Sequence, residues 1–67
     1  MDAYTTLVDA TALKPNTIYK IITTKSEFLG KYHGRNKNEH LHFFDQATNR
    51  LIVLDPKEHI TGAYSNQ

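Results

Sequence analysis

From residue 17 onward, short apolar stretches alternate with turn residues, which is the pattern of an antiparallel β protein. The apolar stretches are rich in β-branched and aromatic residues, which favour strands. They predict five strands, at residues 17–24, 27–33, 39–45, 50–54 and 59–64. Five short strands joined by tight turns predict a small, strongly bent antiparallel barrel.

The segment before the strands has a different spacing. Its apolar residues lie three and four positions apart, at Tyr4, Leu7, Val8 and Ala12. This spacing suits a short amphipathic helix within residues 2–13, although β-branched residues disfavour one, so residues 1–13 are expected to form an N-terminal helix or arm. Pro15 ends the element. A barrel over residues 17–64 and a polar tail over residues 65–67 complete a single domain.

The fourth predicted strand has no polar face. Its residues are Leu51, Ile52, Val53 and Leu54. A strand that is apolar on both faces is usually covered on both. We expect the barrel interior to cover one face, and the N-terminal helix or a neighbouring subunit to cover the other. The alternative is a strand with two exposed aliphatic side chains, which protein surfaces tolerate.

Composition narrows the class of protein. A chain of 67 residues with 39% hydrophobic residues is one globular domain, too small for a separate catalytic domain. The absence of cysteine excludes a disulfide scaffold and a thiol nucleophile. No apolar run is long enough for a membrane helix and no signal-peptide pattern is present, so we expect a cytoplasmic protein. Without a phosphate loop or nucleophile elbow, we expect neither an enzyme, nor a cofactor, nor a small-molecule substrate.

Positive charge is concentrated in one stretch. Lys31, His33, Arg35 and Lys37 alternate there without an intervening acid. The chain has 8 lysine and arginine residues against 7 acidic ones, a net charge of +1, and without the three cations of this stretch the balance is −2. Such a concentration attracts the phosphate backbone of nucleic acids. The alternative is a solvated hairpin tip, where lysine, asparagine and glycine are ordinary turn residues.

Side chains near this stretch offer further contacts to nucleic acid. The rings of Tyr32 and His40 are suited to stacking on bases, and Asn36 and Asn38 carry amide donors and acceptors for base edges. The predicted nucleic-acid-binding residues, with His59 added, are Lys31, Arg35, Asn36, Lys37, Asn38, His40 and His59. His59 follows a sharp turn, so it either caps that turn or points into a central opening of an assembly.

Five residues of the second and third predicted strands follow a recognisable spacing: Gly30, Tyr32, Gly34, Leu41 and Phe43. This spacing, with the order of a short helix and five strands, resembles the first motif of the Sm-like (LSm and Hfq) barrels. Asn36 stands where that family has aspartate, and His40 stands where it has a base-reading asparagine. Glu39 replaces an apolar residue, and the arginine-glycine pair of the second motif is absent.

The resemblance implies a homo-oligomeric ring that binds single-stranded RNA. In Sm-like rings, the fourth strand of one copy pairs with the fifth strand of the next. The implied interface residues are Leu51, Val53, Ile60 and Tyr64. The alternative is an SH3-like structural or protein-interaction module without nucleic acid, since a similar glycine spacing occurs in unrelated SH3-like barrels.

The histidines raise the question of a metal site. His40 and His42 are two residues apart, so on a strand they share one face and could chelate a metal together, with His33, Asp45 or Glu39 as a further ligand. A half-exposed polar strand face explains the same spacing. No third ligand is fixed by the sequence, so no metal site is predicted.

Overall fold

The computed structural model describes residues 3–57 and 59–66 and consists of β structure. The strands are β1 (Thr6–Leu7), β2 (Ile18–Thr23), β3 (Glu27–Arg35), β4 (Leu41–Asp45), β5 (Leu51–Leu54) and β6 (Ile60–Ser65). They form a single antiparallel sheet in the order β1-β6-β2-β3-β4-β5. The predicted all-β class is confirmed, and the five predicted strands correspond to β2 through β6. Asp2 and Gln67, at the ends of the predicted helix and tail, lie outside the described residues.

The predicted N-terminal helix is wrong, because the arm forms β1 instead. Thr6 and Leu7 pair with the end of β6, and the Val8 N–H donates to the carbonyl oxygen of β6 residue Ala63 (2.9 Å). β6 therefore includes Ser65, which is buried and not part of a frayed tail. β-Branched residues favour this pairing over helix. In the part of the chain that the structure describes, no helix is long and apolar enough to cross a membrane.

The core lies on one face of the sheet. It is formed by Leu13, Tyr19, Ile21, Tyr32, Leu41, Phe43 and Ala63. Phe43 is fully buried, and its ring lies 5.5 Å from the Tyr32 ring and 5.9 Å from the Phe28 ring between centroids. Within the described residues β5 pairs only with β4, so the sheet is open, and the predicted five-stranded barrel is corrected to a six-stranded open sheet.

A β-bulge in β3 changes which residues face the core. Before it, Lys31 lies opposite Phe44 and faces outward. His33 is the extra residue, and beyond it Arg35 lies opposite the buried Leu41. Because side chains alternate along a strand, one inserted residue reverses the faces that follow it. Arg35 therefore lies on the inner side of the sheet at its end, and Lys31 does not.

The outward face of β5 is uncovered in the single chain. Leu51 is 51% exposed and Val53 is 46% exposed, whereas Ile52 and Leu54 are half-buried. The N-terminal arm pairs with β6 at the opposite end of the sheet, so the prediction that an N-terminal helix covers β5 is wrong. Coverage by a neighbouring subunit remains a prediction.

Candidate functional site

A cleft of about 420 Å³ lies where the N-terminal arm meets the β3–β4 and β5–β6 turns. We call it the loop cleft. The arm contributes Asp9, Ala10 and Thr11, the β3–β4 region contributes Arg35, Asn38, Glu39 and Leu41, and the β5–β6 turn contributes Asp55, Pro56 and Lys57. The cleft thus combines apolar walls with charged and amide side chains, which is typical of sites for small polar groups.

Arg35 ties two sides of the loop cleft together. Its guanidinium donates a hydrogen bond to the carbonyl oxygen of Thr11 (2.9 Å). This contact depends on the bulge, which directs Arg35 to the inner side of the sheet. Guanidinium has five N–H donors, so one bond to Thr11 leaves donors for a ligand.

The side chain of Asn36 builds the β3–β4 turn. Its Oδ1 accepts hydrogen bonds from the backbone N–H groups of Asn38 (2.9 Å) and His40 (3.1 Å). Glu39 adopts a left-handed backbone conformation within this turn (φ 65°). The oxygen of Asn36 is therefore engaged by the turn, and the residue positions Asn38 at the cleft.

The side chains of His40 and Asp55 lie close together between the two turns. His40 Nε2 lies 3.7 Å from Asp55 Oδ2, and the contact is ionic only when His40 is protonated. The other oxygen of Asp55 accepts a hydrogen bond from the backbone N–H of Lys57 (2.9 Å). His40 thus lies beside Asp55, which is one of the residues that line the cleft.

The charge of the loop cleft is mixed. Asp9 accepts hydrogen bonds from the backbone N–H (2.9 Å) and the hydroxyl (2.8 Å) of Thr11. These bonds, the backbone one first, hold the pKa of Asp9 below its usual value because they stabilise the charged form. Three carboxylates, of Asp9, Glu39 and Asp55, line the cleft beside the cations of Arg35 and Lys57. The cleft therefore has an excess of one negative charge when His40 is neutral.

His59 caps the β5–β6 turn. Its Nδ1 accepts a hydrogen bond from the Asp55 N–H (3.1 Å), and its own backbone N–H donates to the Asp55 carbonyl oxygen (2.9 Å). Because Nδ1 acts as an acceptor, the proton of the neutral ring is on Nε2. Of the two predicted roles, the single chain shows the capping one.

The remaining predicted cations lie outside the loop cleft. Lys37 is exposed at the tip of the β3–β4 turn. Lys31 is exposed on the outer face, where the His33 ring packs edge-on against the Phe44 ring with centroids 5.3 Å apart. The basic stretch seen in the sequence is therefore divided between two faces by the bulge at His33.

The structure adds residues that the sequence did not identify as functional. The sequence indicated only a sharp turn before His59, yet the residues of that turn, Asp55, Pro56 and Lys57, form one wall of the loop cleft. Asp9 forms another wall. The sequence signal was the charged residue on each side of the proline, but nothing in it indicated that this turn meets the β3–β4 turn.

The predicted interface residues differ in exposure. Leu51 and Val53 are exposed on β5, whereas Ile60 and Tyr64 of β6 are half-buried, with Tyr64 paired to Leu7 of β1. Among residues 3–57 and 59–66, no three histidine or acidic side chains cluster closely enough to hold a metal ion.

Comparisons with known proteins add no relative. Models of known protein families, curated proteins and solved structures all give no match to this chain. The resemblance to Sm-like proteins therefore depends on the motif spacing between Gly30 and Phe43.

Proposed function

We propose that this chain is an Sm-like module that binds single-stranded nucleic acid, with RNA as the first candidate, at the loop cleft. The observation that carries the proposal is the convergence of Arg35, Asn38 and Lys57 on a cleft of about 420 Å³. Ligand pockets typically range from about 300 to 1,000 Å³, so the volume suits one nucleotide. The motif spacing is independent support.

The charges of the cleft suggest how a nucleotide binds. Apolar walls from Ala10, Leu41 and Pro56 suit the faces of a base. Carboxylates accept hydrogen bonds from exocyclic amino groups, whereas cations bind phosphate. Adenine and cytosine carry an exocyclic amino group and uracil does not. We therefore expect oligo-adenosine and oligo-cytidine to bind more tightly than oligo-uridine.

Removing the two cations nearest the β3–β4 turn is expected to weaken binding to every single strand. Arg35→Ala combined with Lys37→Ala deletes two phosphate-binding charges, so the affinity should fall and its dependence on salt should flatten. Fluorescence anisotropy with labelled oligo-adenosine, oligo-cytidine and oligo-uridine measures both effects. The control is Lys14→Ala with Lys25→Ala, which removes the same charge at exposed positions outside the cleft.

Two outcomes decide against this prediction. An equal loss in the control variant would show that net charge, and not the position of the cations at the β3–β4 turn, governs binding. No binding of the wild-type chain to any of the three strands at high micromolar concentration and low salt would overturn the proposed function.

His40 is expected to contribute through its ring. His40→Ala should cost about 1–3 kcal/mol of binding free energy if the ring stacks on a base. The salt dependence should change little near neutral pH, which separates stacking from phosphate binding. The measurement is the same anisotropy titration repeated at several salt concentrations. A steeply altered salt slope with a small change in affinity would contradict stacking.

The second candidate function is a protein-interaction module without nucleic acid. The observations that favour it are the excess of carboxylates in the loop cleft and the exposure of Leu51 and Val53. Both features are better suited to binding a protein partner than to binding a phosphate backbone. If the chain fails to bind single strands, the protein-interaction module becomes the favoured function.

A ring, which the resemblance to Sm-like proteins implies, has a specific structural requirement. It needs β5 of one copy to pair with the outer edge of β6 in the next copy. β1 lies along that edge at residues 64–65, and the Val8 N–H binds Ala63. Complete pairing of β5 with β6 of the next copy therefore requires β1 to dissociate from β6.

A further inference from the structure

β5 presents an open backbone edge. It pairs with β4 along Leu51–Leu54, and in the described part of the chain no strand pairs with its other edge. At the other end of the sheet, β1 is only two residues long. β5 is thus the longer of the two strands that end the sheet.

This edge lacks the features that usually prevent association. Edge strands are commonly protected by charged residues, prolines or bulges. β5 has none of these, since its four residues are all aliphatic. Two of them, Leu51 and Val53, point outward and are about half exposed. An uncharged aliphatic edge of this kind favours pairing with a strand of another molecule.

We infer that β5 pairs with β5 of a second copy of this chain, antiparallel across a two-fold axis. Such an axis is perpendicular to the sheet and keeps outward side chains on the same face, so the pairing is centred on one residue. Centring on Ile52 places Leu51 of each copy opposite Val53 of the other. The exposed side chains of both copies then cover one another on the outer face.

The charges at the ends of β5 fit this arrangement. Arg50 precedes the strand and Asp55 follows it. Antiparallel pairing centred on Ile52 places Arg50 of each copy opposite Leu54 of the other and one position from its Asp55. Parallel pairing in register would instead place the two Arg50 side chains directly opposite each other, which is destabilising. The antiparallel arrangement separates the like charges and leaves one arginine and one aspartate at each end of the contact, so the ends of β5 favour an antiparallel second copy.

The β6 edge is a weaker partner for β5. β1 and Val8 already occupy it at residues 63–65, so only residues 60–62 of β6 lie beyond them. Pairing of β5 with itself requires no rearrangement of the chain. The structure therefore favours a two-fold dimer over a ring.

The first test is the mass in solution. Light scattering and sedimentation of the full chain from low to high micromolar concentration are expected to give twice the monomer mass. Val53→Lys should halve that mass, because it places a charge on each side of the contact. The control is Leu29→Lys, which adds the same charge on the outer face of β3 (Leu29 is 39% exposed) and should leave the dimer intact.

The second test determines the register between the two β5 strands of the dimer. It remains informative if the Val53→Lys variant does not fold. The chain has no cysteine, so Ile52→Cys introduces a single thiol at the expected two-fold axis. Directly opposed residues in an antiparallel pair have Cα atoms about 4.5–5.5 Å apart, which suits a disulfide. Oxidation should give a covalent dimer that reductant reverses, whereas Thr61→Cys on β6 should not. A monomeric wild type, a closed ring by mass, or a dimer in which Ile52→Cys does not cross-link would each overturn the inference.

Discussion

Replacing Phe43 by alanine is expected to lower the free energy of unfolding by about 3–5 kcal/mol. Phe43 is fully buried, and its ring contacts the rings of Phe28 and Tyr32. Truncation loses the transfer free energy of the ring and leaves a cavity in the middle of the core. A domain of this size has a total stability of roughly 3–10 kcal/mol, so the variant should lose about a third of that stability or more.

Urea denaturation followed by circular dichroism measures this loss. The matched control is Phe44→Ala, one residue along β4 on the outward, half-buried face. This variant should lower the free energy of unfolding by clearly less, because less of the apolar area of Phe44 is buried in the folded state. Similar losses for the two variants would contradict the assignment of the core to the Phe43 face of the sheet.

Adding one methyl group at Gly30 is expected to be the second largest effect. A Cβ atom there would lie 2.6 Å from Phe28 Cε2 and 3.0 Å from Phe43 Cβ. The second contact is with an atom close to the backbone, which cannot move away without shifting β4. Overpacking of this kind typically costs about 1–3 kcal/mol, so Gly30→Ala should lower the melting temperature markedly.

Gly62→Ala is the control for Gly30→Ala. A Cβ at Gly62 would meet the ring of Tyr64 at 3.1 Å, and that ring belongs to a half-buried side chain that can rotate away. Differential scanning calorimetry should therefore give a smaller shift for Gly62→Ala. If both variants lose the same stability, the close approach of Phe43 to Gly30 is not what excludes a side chain.

Much of the sheet could be predicted from local pattern. Tyr32 and Phe43, two residues of the recognised spacing, both lie in the core, so the expectation that the Tyr32 ring stacks on a base is wrong for the single chain. A glycine inside a strand marks either a bend or a close approach, and the structure shows a close approach at Gly30. The N-terminal segment was misread because helical spacing and strand propensity conflicted there. Tertiary pairing with β6 decided the outcome, and no local pattern reports that pairing.

The loop cleft could be predicted only in part. Arg35 and Asn38 were identified from their position in a basic turn. Asp9 and Lys57 belong to segments far from that turn in the sequence, and only the fold brings them together. The β-bulge in β3 could not be predicted from the sequence either, because simple alternation would place Arg35 on the same face as Lys31.

The bulge makes β3 unusually tolerant of a change in chain length at one position. A variant that lacks His33 would still allow Tyr32 to lie opposite Phe43, and the residues after the deletion would keep their present partners in a regular ladder. A deletion further from the bulge, such as that of Leu29, would reverse the faces on one side of the cut. His33 is thus a supernumerary residue that gives the sheet extra local bend. A sequence aligned without a gap at this residue would assign every later position of β3 to the wrong face.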